Sequence, residues 1–144
     1  MKPKDKEIIK LMRTGKRLNI SEIARQLNLP ISTVNDKIKR IEERYIIKRS
    51  SLLDYHKLGY FANAKLTIKI DHSQKDTFLN FLRQQSCVNS IYHINSNFDL
   101  LVDVVCKDAI ELKHWVEGVR RNFSVDISVF QILKVEEKER FVPR

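Results

Sequence analysis

Apolar residues first recur at helical spacing over residues 4–14, where Ile8, Ile9, Leu11 and Met12 share one side and Gly15 is a natural stop. Two further helices are predicted between 20 and 47. The first carries a stripe of Ile20, Ile23, Ala24 and Leu27, and the second one of Val34, Ile38 and Ile41, at the i, i+4, i+7 spacing of a core-facing side. Asn19 and, three residues on, Glu22 form a capping-box signature. Between the helices, Asn28 tolerates the left-handed conformation that ends a helix sharply, and Pro30 favours a fresh start. The small Ala24 lets the helices cross closely. This is a helix-turn-helix pattern, although a helical hairpin with solvated charges would show similar spacing. After it, YIIKRSSLLDY (45–55) reads as a two-stranded wing around a polar centre, or else as a basic linker.

From Gly59 the period changes. FANAKLTIKI (61–70) alternates and is a strand; 71–85 carries Phe78, Leu79 and Leu82 at helical spacing; VNSIYHIN (88–95) is a second strand, followed by a tight turn at Ser96-Asn97. FDLLVDVVCK (98–107) is a third strand, 108–121 a helix with Ile110, Leu112, Trp115, Val116 and Val119, and VDISVFQILKVEE (125–137) a fourth strand. The order βαββαβ is ferredoxin-like: an antiparallel sheet with both helices on one face. Strands such as LLVDVV place apolar residues on both sides, so an exposed apolar sheet face is expected to need a cover. Self-association is the simplest cover, and a twofold dimer would bring two recognition helices to a palindromic site. The expected organisation is an α+β chain: a winged helix-turn-helix over 1–52, a connector over 53–60, and a βαββαβ dimerisation and effector-sensing domain over 61–144.

Charge sharpens this division. Residues 1–58 hold 15 Lys+Arg against 7 Asp+Glu, whereas 59–144 hold 12 against 11, so the overall +9 sits almost wholly in the helical head. A basic head on a near-neutral body points to a polyanion, with nucleic acid foremost. No apolar run approaches the ~20 residues that span a bilayer. MKPKDKE has no apolar signal core, so the cytoplasm is expected. Cys87 and Cys106 are too few for a disulfide framework and read as buried thiols.

On the second helix of the pair, Ser32, Thr33, Asp36, Lys39, Arg40 and Glu43 lie opposite the apolar stripe, with Asn35 and Lys37 on the flanks. Such a face suits the major groove of double-stranded DNA. The expected contacts are Ser32, Thr33, Asn35, Asp36, Lys37 and Arg40, with Lys48 and Arg49 near phosphate. Arg40 is placed for guanine or phosphate, and Asp36 can accept from cytosine. The alternative for each is a solvated charge, since more than half of protein–DNA hydrogen bonds carry no sequence information. No catalytic set, metal site or cofactor is indicated: His56, His72, His93 and His114 are scattered, no His-x-x-x-His or Cys-x-x-Cys occurs, and there is no Gly-rich phosphate loop.

Three segments, LNLPISTVNDKIKRIEERYI (27–46), LDYHKLGY (53–60) and INSNFDLLVDV (94–104), make the chain resemble, nearly end to end, the Lrp/AsnC (leucine-responsive, feast/famine) transcription regulators. The resemblance implies a DNA-binding head and a dimerising tail that senses a small molecule such as an amino acid, with dimers assembling into tetramers or octamers. It also implies an effector pocket bordered by the turn at Ser96, Asn97 and Asp99. Three departures stand out. Pro30 replaces a Ser at the start of the recognition helix, leaving Ser32 or Thr33 to cap it. Tyr45 replaces the Gly that ends it. Ser96 replaces the Gly of the central turn, where a side chain is expected to narrow the pocket or alter the turn. Two alternatives remain: a sirohaem-decarboxylase-like enzyme, which resembles the same fold and would use His93 with Tyr92, and an architectural protein that coats DNA without regard to sequence.

Overall fold

The computed structural model describes residues 2–13 and 19–141, and two separate apolar clusters form within them. They belong to two compact units. One holds the chain up to Leu52 together with the residues from Glu137 on; the other runs from Leu53 to Glu136.

The first unit consists of α1 (Pro3–Arg13), α2 (Ile20–Leu27) and α3 (Ile31–Tyr45). Ile8, Ile23, Ala24, Val34, Ile38 and Ile41 are its buried core, with Ile9, Leu11, Met12 and Leu27 packed against them. These are the stripes that the 3.6-residue period selects, and only Ile20 emerges at the edge. The expected stop at Gly15 lies outside the described residues. The two-stranded wing is absent: residues 46–54 form neither helix nor strand. A hairpin with Lys48, Arg49, Ser50 and Ser51 at its centre has little apolar surface to bury, and two strands alone are marginal. At the other end of the chain, Arg13 Nη2 donates to the Glu139 carbonyl at 2.8 Å and pairs with its carboxylate at 3.3 Å, fastening tail to head within this unit.

The second unit contains β1 (Ala62–Ile70), α4 (Lys75–Gln84, preceded by a 3-10 turn at His72–Gln74), β2 (Val88–His93), β3 (Leu100–Cys106), α5 (Ala109–Asn122) and β4 (Val125–Gln131). The strands are antiparallel in the order β2-β3-β1-β4, the ferredoxin-like arrangement. Alternate residues of β1 and β3 (Leu66, Ile68, Leu100, Val102, Val104) are buried in one cluster with Phe78, Leu79 and Leu82 of α4 and Leu112, Val116 and Val119 of α5, so both helices cover one face. Phe78, Phe81 and Phe123 close that core as a ring cluster, Phe78 stacked on Phe81 and edge-on to Phe123. Ahead of β1, the connector turns tightly at Gly59, whose φ of +84° a residue with a Cβ adopts only under strain.

Three expectations are corrected. β4 ends at Gln131 rather than at 137. Its last link to the sheet is Ile132 N–H to the Asn63 carbonyl (2.8 Å), and β1 begins at Ala62, so no partner strand continues beyond. Ile110 is 67% exposed, on the side of α5 away from Leu112 and Val116. The sheet face opposite the helices is mixed rather than apolar. There, by register, Tyr92, Leu101, Val105 and Phe130 alternate with Asn63, Lys65, Thr67, Asp103 and Ser128, and Lys65 pairs with Asp103 at 2.6 Å.

Candidate nucleic-acid interface

The helix pair is set by local chemistry. At the start of α2, Asn19 Oδ1 accepts from Glu22 N–H (2.8 Å), while Glu22 Oε2 accepts from Asn19 N–H (2.9 Å); the predicted capping box is complete. At its end Asn28 is left-handed (φ 51°, ψ 51°), and the Leu29 N–H reaches back to the Ala24 carbonyl at 3.0 Å. Pro30 starts α3 with its carbonyl accepting from Val34 N–H at 3.1 Å. No side chain caps this helix, so neither Ser32 nor Thr33 takes that role. Pro30 itself contributes no N–H to satisfy, and its fixed φ suits the helix entry.

With Val34, Ile38 and Ile41 buried, Ser32, Asp36, Lys39, Arg40 and Glu43 are exposed, whereas Thr33, Asn35 and Lys37 are half-buried on the flanks. Arg40 lies along the helix, its Nε donating to the Asp36 carbonyl at 3.3 Å. A shallow hollow beside the turn is lined by Ser21, Arg25, Asn28 and Ile31, residues that the helical stripe arithmetic does not single out. Beyond α3, Lys48 and Arg49 are exposed, and Arg49 pairs with Glu42. A solvated pair of this kind is worth ~1 kcal/mol or less, so a phosphate competes readily for the guanidinium.

Lys37 is placed differently from the other expected contacts. Its Nζ lies 2.8 Å from Asp5 Oδ1 of α1, and the two side chains are only 17% and 21% exposed. The Lys37 hydrogen bond holds the Asp5 carboxyl below the usual carboxylate range. Burial opposes this, and the charges of Lys37, Lys2 and Arg40 reinforce it. Asp5 is the residue that the sequence reading missed. Its one visible sign is being an acid among Lys2, Lys4 and Lys6.

The second set, Ser96, Asn97 and Asp99, lies in the β2–β3 connection. This is a longer loop than the expected two-residue turn, closed by Ile94 N–H to the Asp99 carbonyl at 3.2 Å. Ser96 Oγ accepts from Phe98 N–H at 3.1 Å. Among the described residues only Asn28 and Glu139 combine a side chain with positive φ, so the backbone at Ser96 does not require glycine. Asp99 is a keystone: its N–H donates to the Ile68 carbonyl (2.9 Å), and its Oδ2 accepts from Ile70 N–H (2.9 Å). Tyr92 and His93 are successive strand residues in register with Leu101 and Leu100, so their side chains leave opposite faces of the sheet. Among the described residues, no three His, Cys, Asp or Glu side chains gather as a metal site, and no helix is long and apolar enough to cross a membrane.

Residues 1–48 match a winged helix-turn-helix DNA-binding family. An HTH-type transcriptional regulator of Pyrococcus horikoshii is 30% identical over 117 residues, 79% of this chain and 74% of that protein. A transcriptional regulator of Neisseria meningitidis, solved as a complex with L-Met, superposes with a TM-score of 0.89 at 18% identity, covering 99% of this chain and 96% of its own. An AsnC family transcriptional regulator from Agrobacterium tumefaciens gives 0.85 at 18% identity, covering 99% and 97%.

Proposed function

We propose that this chain, which belongs to the HTH-type transcriptional regulators, is a DNA-binding regulator of the Lrp/AsnC kind and reads its operator through the outward face of α3 as a twofold dimer. One observation carries the reading: burying Val34, Ile38 and Ile41 turns Ser32, Asp36 and Arg40 outward together, on the unit that holds nearly all the excess positive charge. Ser32, Thr33, Asn35, Asp36 and Arg40 are the groove residues; Lys48 and Arg49 hold phosphate. DNA binding is assigned to the unit ending at Leu52, and pairing to the sheet unit.

Several features support pairing through the open sheet face. Tyr92 and Phe130 are exposed there, with Leu101 and Val105 half-buried on the same face. A dimer fixes half-site spacing, because each subunit presents one recognition helix. Higher assembly of such dimers extends the same principle to longer operators. The chain's work is binding in the cytoplasm, with no catalytic step.

An amino acid is the proposed effector, near Ser96, Asn97 and Asp99. The L-Met bound by the Neisseria protein supports the class of ligand. Such a ligand acts by favouring one assembly over another, in proportion to its difference in affinity for the two. The test is a salt titration of full-length protein on a duplex it selects from a random pool, beside a scrambled duplex, with amino acids added singly. Preference of ~10³-fold or more with steep salt dependence is expected. Equal binding to both duplexes would replace this reading with the architectural one.

A further inference from the structure

Of the side chains on the flanks of α3, Lys37 is engaged by another helix. Its partner Asp5 is 32 residues away on α1, at 2.8 Å, and both side chains are mostly shielded. Beside this pair, Ile8 of α1 packs in one apolar cluster with Val34, Ile38 and Ile41 of α3. Apolar burial is itself non-directional and fixes the crossing of two helices only through the fit of their side chains. A short charge-assisted hydrogen bond between them adds a directional constraint. A lysine reaching into a groove would have to leave this partner and strand a partly shielded carboxylate.

We infer that Lys37 is a positioning residue rather than a DNA contact. With Asp5 it forms a latch between α1 and α3 that fixes the angle at which Ser32, Asp36 and Arg40 are presented. The inference rests on the proposal that this face of α3 reads DNA, and adds to it a residue outside the groove.

Simple electrostatics and the latch predict different outcomes for one substitution. Asp5→Asn removes a negative charge from a basic head, so on charge alone both duplexes bind more tightly and their ratio is unchanged. Under the latch, discrimination between operator and scrambled sequence falls. The experiment uses the full chain and a duplex selected from a random pool by the unaltered protein, with a scrambled control, over a series of salt concentrations. Asp5→Asn and Lys37→Met are each expected to lower the selected-to-scrambled ratio by about tenfold, the equivalent of one lost base contact. The double variant is expected to be no worse than either single one. The salt slope for Lys37→Met stays that of the unaltered protein, since no phosphate contact is lost. Exchanging the pair, Asp5→Lys with Lys37→Asp, restores most of the discrimination.

A Lys37 that touches phosphate gives a different pattern: the slope falls by about one for Lys37→Met, Asp5→Asn binds both duplexes more tightly at an unchanged ratio, and the exchange stays weak. That pattern overturns the inference. So does a pair that only stabilises the head, which lowers the melting temperature and leaves the ratio unchanged well below it. Should Lys37→Met fail to fold by circular dichroism, Asp5→Asn and the exchanged pair decide the question. If the unaltered protein shows no preference between the duplexes, the DNA-reading proposal falls and the latch with it; preference lost only in the variants is the mark of the latch.

Discussion

Arg40 is the single side chain on which base discrimination most depends in this reading. It is exposed, and its Nε donates to the Asp36 carbonyl at a modest 3.3 Å. Arg40→Ala should weaken binding to the selected duplex by ~1–3 kcal/mol and relax preference at one position, leaving the dimer intact. Fluorescence anisotropy beside a sizing column measures both, and unchanged affinity would remove Arg40 from the interface. A second residue-scale consequence concerns Cys106, which is buried at the end of β3. Burial disfavours its thiolate and pushes the thiol up to about 12, and the nearby Cys87 is raised for the same reason. The folded chain therefore keeps a proton that the unfolded chain releases near its ordinary value of 9.0. The resulting stability is complete below that pH and is lost as pH rises toward 12. Denaturant midpoints followed from pH 8 upward should fall in this window, and Cys106→Ala should flatten the fall; an equal slope in the variant would show that another group is responsible.

Elements were legible where local periodicity decides burial. The capping box at Asn19 is an example, since both halves lie within four residues of sequence and need no tertiary partner. Asn19→Ala should cost about 1 kcal/mol of head stability, seen as an earlier melt of helical ellipticity. A variant that melts with the unaltered protein would mean that packing alone holds α2. The same arithmetic sets Ile110 apart: at 100° per residue it falls about 160° around the helix from Leu112, on the exposed side. What the sequence did not disclose depends on partners far along the chain. The length of β4 is set by where β1 begins, and the engagement of Lys37 by an acid on another helix. The absent wing follows a related rule, for strand-forming residues at 45–47 and 52–55 make a strand only if something pairs with them. At the second site the Phe98-Asp99 pair was legible, but not that Asp99 would hold the backbone of β1 at Ile68 and Ile70.

For the whole molecule the decisive question is how discrimination arises from so small a reading surface. One α3 offers a handful of side chains, and each good base contact is worth ~1–3 kcal/mol, so one head cannot stand far above the many competing sites of a genome. In the proposed dimer, pairing through the sheet unit would join two such heads and make their contributions act together without enlarging either. The open face of the sheet is therefore expected to govern DNA affinity although it touches no DNA. Leu101 lies in its middle, on β3 beside Thr67 of β1 and Tyr92 of β2. Leu101→Lys puts a charge there without entering the helix-covered core, where Val102 and Leu100 point. Light scattering should then report monomers of unchanged helical content, and binding should drop to nearly that of a scrambled duplex, with a salt slope roughly halved because half the phosphate contacts remain. A dimer that survives Leu101→Lys would send the pairing surface elsewhere. A monomer that keeps full discrimination would show that one head suffices, and the palindromic reading of the operator would have to be abandoned.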